Sequence, residues 1–304
     1  MRTWVTRNNA AQIGYVENLG RECPCEASDA LAAMGATLAI RRLDQFLHPR
    51  AWNTFNRNDT RSFQMQTPEH EYAAHFRILP EHVEPSWLRS LKLIHICTSG
   101  ARCSQWVTGY QERMVQEGVP TSAMPDFVWE PSPNSCIASE WDNFVMALDC
   151  VAVVSPNHEE LASLLGIPFQ DSDAIDLSGL VEHIAPLTLQ AHFIIRCGAR
   201  GCIVVPRRSN AQSPLVSTRV EAFWKHATEV VDVTGAGNSF MGGLMVGLYQ
   251  TGGDLHAAAE YGSVSASFVV QQFGPPIFSE VDGEEKWNGD TAARRLKETI
   301  KRRL

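Results

Sequence analysis

No run of about 18 consecutive apolar residues occurs in this chain, which excludes an ordinary membrane-spanning helix. The first residues, Met1-Arg-Thr-Trp-Val-Thr-Arg-Asn-Asn9, lack the apolar core of a secretion signal, so a cytoplasmic protein is expected. Positive charge is not in excess either. A formal net charge of −8 offers no electrostatic footprint for nucleic acid or an anionic membrane. The basic runs Arg294-Arg295 and Lys301-Arg302-Arg303 fall in a predicted C-terminal helix and read as its solvated face. Paired metal-type cysteine spacings are also missing. The eight cysteines are scattered, several inside apolar runs such as Leu93-Ile-His-Ile-Cys97, and read as reduced thiols. Cys23-Pro-Cys25 has the wrong spacing for a zinc knuckle and no matching second pair. With no internal repeat and no low-complexity linker, one α/β domain over residues 1–304 is expected.

What is present is an alternation of short apolar runs and helical segments. Leu91–Cys97, Phe127–Glu130, Val151–Ser155, Phe193–Cys197 and Cys202–Val205 read as strands. Ser104–Glu117, Ser139–Leu148, His158–Leu165, the Ala-rich Glu26–Arg41 and Leu255–Gln272 read as helices. Such βα units build a doubly wound sheet that binds ligands at the carboxyl ends of its strands. The stretch from about Phe46 to Leu79 mixes aromatic, Asn, Arg and Gln residues. Within it Thr60-Arg-Ser-Phe-Gln-Met-Gln66 alternates weakly, so irregular chain with a short strand or two is expected there.

Three motifs carry the chemistry. Asp232-Val-Thr-Gly-Ala-Gly-Asn238-Ser-Phe240 is a small-residue loop running into an apolar, glycine-bearing helix. Its backbone N–H groups and the positive end of the helix dipole make an anion site. Ser155-Pro-Asn157-His-Glu-Glu160 follows a buried strand and opens a helix, and Asn157 with Glu160 also fits a capping box. Arg196-Cys-Gly198-Ala-Arg-Gly201 joins two strands through a turn with glycine at two positions, a hairpin signature.

Together these motifs resemble the PfkB, or ribokinase-like, family of small-molecule kinases, over roughly Ile13 to Pro275. The resemblance implies a ribokinase-like α/β fold with a small or degenerate β lid, partly from about residues 46–80. It also implies ATP and Mg2+ as cofactors, K+ beside the loop and a small-molecule substrate, and it leaves a homodimer open. Carried over by position, Gly235, Ala236 and Gly237 are the anion-hole donors and Asn238 stands at the catalytic-base position. Asn157 and Glu160 stand where relatives order magnesium and phosphates, and Asp232 with the Val233 carbonyl where many hold a monovalent cation. Thr234, Arg196, Gly198 and Gly201 border the nucleotide phosphates. Gly262, Ser263 and Ala266 match the helix flanking the adenine, and a close-packed core helix would look the same.

The family signature ends in Asp, its general base, where this chain has Asn238. An amide accepts and donates hydrogen bonds but takes no proton at neutral pH. Aligning Ala30–Ala36 with the family's first helix puts Glu26 and Ala27 in place of a Gly-Gly pair, and the preceding strand, roughly Gln12–Asn18, lacks the sugar-gripping Asp. Trp129-Glu-Pro-Ser-Pro-Asn-Ser-Cys136, Thr60-Arg61, His95 followed by Arg102-Cys103, and the Asn of Gly-Ala-Gly-Asn resemble the fungal maintenance-of-killer branch. Three readings follow: phosphoryl transfer to a non-standard acceptor, a non-kinase enzyme reusing the hole without ATP, and a nucleotide-binding pseudokinase. For the first, His95, Glu130, Asp149 and His226 are all open as proton acceptors.

Overall fold

The computed structural model describes residues 2–55 and 61–303. Strand β1 (Gly14–Arg21) pairs in parallel with β2 (Thr37–Leu47), with helix α1 (Cys25–Ala33) as the crossover. The helix expected over Glu26–Arg41 therefore ends early. Gly35 takes a left-handed φ of 70°, and the chain from Thr37 alternates as a strand with Ala39 and Leu43 buried. An antiparallel hairpin follows, β3 (Ala51–Phe55) with β4 (Arg61–Met65), where irregular chain with a strand or two was expected; Thr60 lies outside the described residues. The short α2 (Glu69–Glu71) runs into a π-helical turn, Tyr72–Phe76.

The main sheet is built from β5 (Leu93–Thr98), β6 (Asp126–Pro131), β7 (Val153–Val154), β8 (His192–Arg196), β9 (Cys202–Val205) and β10 (Thr218–Val220), in spatial order β10-β9-β8-β7-β6-β5. The four from β5 to β8 are parallel, joined through α3 (Gly100–Gln116), α4 (Trp141–Leu148), α5 (His158–Leu164) and α6 (Leu177–Ile184). At the other edge the predicted hairpin turns β9 antiparallel to β8, and β10 runs antiparallel to β9.

Successive strand side chains point to opposite faces, and the core divides accordingly. Trp129, Phe193, Ile195 and Val205 pack with Tyr110, Phe144, Leu161 and Ile184 from the crossover helices. Val128, Val153, Ile194 and Val204 pack with Phe240, Met241 and Leu244 of α7 (Ala236–Gln250) and Ala258 and Ala259 of α8 (Leu255–Val269). Every residue of α7 from Phe240 to Leu248 is buried, as expected of a helix that is apolar all round. The two helices approach closely because α7 carries glycines: a Cβ on Gly243 would stand 2.4 Å from the Tyr261 carbonyl oxygen.

A second hairpin, β11 (Phe278–Val281) with β12 (Glu284–Trp287), precedes α9 (Ala292–Arg303). Helix α9 corrects the expectation of a wholly solvated basic face. Arg295 is 2% exposed, with its guanidinium 3.7 Å from the Phe268 ring centroid and bonded to Asp290, Ser267 and Gln271. The N-terminal segment docks on the same cluster: Trp4 stacks on Tyr261 and donates to Ser265 Oγ at 2.7 Å. Arg2 pairs with Glu285 at 2.7 Å. None of the eight cysteines forms a disulfide, and no described helix is long and apolar enough to cross a membrane.

Candidate functional site

The candidate site lies where the parallel strands end and α7 begins. Gly235 is the N-cap of α7 and holds a φ of 82°, a conformation that favours glycine. No side chain caps this end. The Ala236 N–H bonds the Val233 carbonyl, whereas those of Gly237 and Asn238 have no acceptor among the described residues. The Asn238 side chain is exposed and has no partner among the described residues. The loop is anchored behind by Val231 and Asp232, whose N–H groups both bond the Val270 carbonyl. Asp232 Oδ1 accepts from the Thr234 N–H at 2.9 Å, an Asx turn that sets the loop's entry.

Beneath the loop is a buried charge cluster. Arg196, the last residue of β8, lies on the same face of the sheet as Ile194 and so points toward α7. Its Nη1 is 2.7 Å from Glu130 Oε1, and its Nη2 is 3.4 Å from Glu160 Oε2. A Cβ added to Gly237 would stand 2.6 Å from Arg196 Nη1, so a side chain there would displace the guanidinium. Arg196 Nε is buried without a hydrogen-bond partner. Burial alone would weaken the guanidinium's hold on its proton, but Glu130 and Glu160 more than offset it and keep Arg196 ionised. Burial would likewise raise the Glu130 carboxyl. Arg196, aided by His95, outweighs that and holds it below the usual range. His95 Nε2 sits 3.2 Å from Glu130 Oε2, off the axis of a good hydrogen bond.

Asn157 and Glu160 are brought together as a full capping box at the start of α5. The Glu160 N–H donates to Asn157 Oδ1 and the Asn157 N–H to Glu160 Oε2, both at 2.7 Å. Glu160 Oε2 thus serves the helix cap and Arg196 at once. His158, between them, approaches the Arg196 carbonyl with Nδ1 at 3.2 Å, and burial lowers its pKa. Asp232 belongs to its own turn, and no cluster of three or more His, Cys, Asp or Glu suited to a metal occurs among the described residues.

The other expected site residues divide between open positions and packing. Gly198, at a φ of 56°, has open space around it. Gly201, at 78°, has none, because a Cβ would stand 2.1 Å from the Val220 carbonyl oxygen. Gly262 is pressed against the Phe240 ring, Ser263 Oγ donates to the Glu221 carbonyl at 2.9 Å, and Ala266 packs toward α7. These three serve the close contact of α8 with its neighbours. Of the four open proton acceptors, His95 and Glu130 join the cluster. Asp149 accepts from Gln190 at the far end of β7, and His226 is exposed ahead of a 3-10 turn. Sequence reasoning gave Glu130 no preference. Its signal was a lone carboxylate closing the apolar run Phe127-Val-Trp129.

Residues 86–280 match the family model described as pfkB family carbohydrate kinase. An uncharacterised protein of Schizosaccharomyces pombe is 29% identical over 308 residues, covering 98% of this chain and 82% of that protein. Protein MAK32 of Saccharomyces cerevisiae is 24% identical over 292 residues, covering 94% of this chain and 77% of its own length. Among solved structures, a ribokinase from Giardia lamblia superposes with a TM-score of 0.68 at 17% identity, over all of this chain and 86% of that one.

Proposed function

Because the chain belongs to the pfkB family of carbohydrate kinases, near its fungal MAK32 branch, we propose that it is a small-molecule phosphotransferase that has lost its general base. The observation that carries this reading is the uncapped start of α7, with Asn238 exposed at the base position. The Gly235–Asn238 backbone receives the oxyanion of a phosphoryl group from a nucleoside triphosphate such as ATP. The helix dipole then stabilises charge as it moves during transfer. Gly198, Thr234 and the Arg196 hairpin border the donor phosphates, and the β1–β2 pair with the β3–β4 hairpin forms the lid.

Asn238 can orient an acceptor oxygen but cannot take its proton. The acceptor is therefore one already ionised at neutral pH, a carboxylate or a phosphate, which needs no base. Arg102, half-buried in the first turn of α3 just past β5, supports this assignment. It has no ion pair or hydrogen bond among the described residues, and burial, then the nearby cation of Arg77, which is itself paired with Glu69, disfavour its charge, so Arg102 can receive an anion. The test is nucleoside diphosphate release across two acceptor panels, neutral polyols against carboxylates and phosphorylated compounds. Turnover confined to the polyols sinks the acceptor assignment, and none on either panel sinks phosphotransfer.

A second reading, a non-kinase reaction in the same hole without ATP, is favoured by one observation. Gly262, Ser263 and Ala266 are engaged in packing rather than lining an open cleft. It predicts no thermal stabilisation by ATP or ADP, and an activity that survives nucleotide removal and falls on Asn238→Ala.

A further inference from the structure

The fold family implies a divalent ion beside Asn157 and Glu160, and the groups at that place do not fit one. Asn157 offers its side-chain oxygen to the Glu160 N–H at 2.7 Å. Glu160 Oε2 accepts from the Asn157 N–H at 2.7 Å and faces Arg196 Nη2 at 3.4 Å. The next carboxylate, Glu130, is held by Arg196 Nη1 at 2.7 Å. The cation between the two carboxylates is the guanidinium itself, covalently part of β8. A divalent ion entering there would meet a fixed positive charge and would find its carboxylate ligands already engaged.

We propose that Arg196 is a built-in cation standing in place of the divalent metal between the α5 cap and the start of α7, so that the Gly235–Asn238 hole takes its oxyanion without a protein-bound metal ion. Three features of the structure converge on this. The guanidinium links both carboxylates, its Nη1 lies 2.6 Å from where a Cβ on Gly237 would stand, and its Nε remains a buried donor without a partner. A metal ion dissociates and exchanges; a guanidinium on a strand does not. The charge that organises the hole is therefore permanent, and its placement depends on β8 rather than on metal supply. A metal carried by the nucleotide's own phosphates is compatible with this arrangement, since no protein carboxylate is needed to hold it.

The inference rests on the anion-hole reading for its second half only, and the experiment separates the two. Mn2+ alone is titrated into the full chain, with binding read by electron paramagnetic resonance. Wild type is expected to show no site tighter than about 1 mM. Arg196→Gln, which removes the guanidinium from between the two carboxylates, is expected to gain a site at least about tenfold tighter. Adding Glu160→Gln to that variant is expected to remove it. A wild-type Mn2+ site that Glu160→Gln abolishes overturns the proposal, as does a folded Arg196→Gln that gains none. The wild-type and Glu160→Gln arms decide the matter even if Arg196→Gln does not fold. In a calorimetric arm, inorganic tripolyphosphate is titrated in EDTA and in excess Mg2+. Similar affinity in both supports metal-free binding, and tightening of about tenfold or more with Mg2+ overturns it. Absence of binding in both counts against the anion hole and leaves the Mn2+ result to decide on Arg196.

Discussion

Asn238 follows Gly237 in the chain, Arg196 Nη1 lies 2.6 Å from where a Cβ on Gly237 would stand, and the two residues answer different questions, one about proton transfer and one about charge. Restoring a carboxylate with Asn238→Asp supplies a base worth about 10²- to 10⁴-fold to a neutral hydroxyl acceptor, if such an acceptor binds. It does nothing for an acceptor already ionised, and it places a negative charge where that acceptor's charge must sit. Nucleoside diphosphate release is therefore expected to rise for polyols and fall for anionic acceptors. Arg196→Met tests stability instead. It leaves Glu130 buried and Glu160 partly buried without their cation, and breaking a buried pair such as Arg196–Glu130 costs about 3–5 kcal/mol. Urea unfolding of Arg196→Met, set against Glu130→Gln with Arg196 intact, measures it. A cost below about 1 kcal/mol would mean that the cluster is solvated rather than buried.

At the scale of elements, the β8–β9 turn makes a sharp internal comparison. Gly198 and Gly201 both have positive φ, so alanine is strained at either. Only Gly201 also faces the Val220 carbonyl, where a Cβ would arrive at 2.1 Å and force β10 away from β9. Gly201→Ala is expected to lower the melting temperature well beyond Gly198→Ala, whose added methyl meets open space. The same region shows what could be read without coordinates. The hairpin, the Asn157–Glu160 cap and strands β5 to β9 were legible because turn glycines, a capping pair and apolar runs are local signals. The passage from α1 to β2 was misread because Ala-rich sequence favours helix, while the pairing of Thr37–Leu43 with Gly14–Gly20 of β1 is a non-local preference that outweighs it. Arg295 was misread for a related reason. Its aromatic bed comes from Phe223, Trp224 and Phe268, about 27 to 72 positions away in sequence, and no window over α9 contains it. Glu130, His95 and Arg196 were visible singly, and only the register of β5, β6 and β8 joins them.

The whole molecule should be limited by acid rather than by base. Burial holds His158 and His192 below the ordinary histidine value of 6.5, so the fold binds them neutral. A depressed folded pKa contributes stability above the unfolded value and loses it as pH falls through the folded one. Stability is therefore expected to decline once pH drops below about 6.5. A second decline should follow below about 4.5, as Glu130 gives up its pairing with Arg196. Asp290 follows the same course. Burial would raise it, but hydrogen bonds from Arg294 and Arg295 hold it at about 2. Chemical denaturation at stepped pH checks the sequence of losses. An unfolding free energy flat from pH 7 to 5 would mean that the histidines are not excluded from protonation.

The docking of Trp4 on Tyr261 and Ser265 carries a consequence for synthesis. A ribosome making about 5–20 residues per second needs roughly 13–50 seconds to pass from the first of these residues to the last. Throughout that interval Trp4 is made but its berth on α8 is not. The opening segment of the chain is thus among the last parts to find its place, and a nascent chain halted before α8 should be clipped there by protease while the finished protein is not.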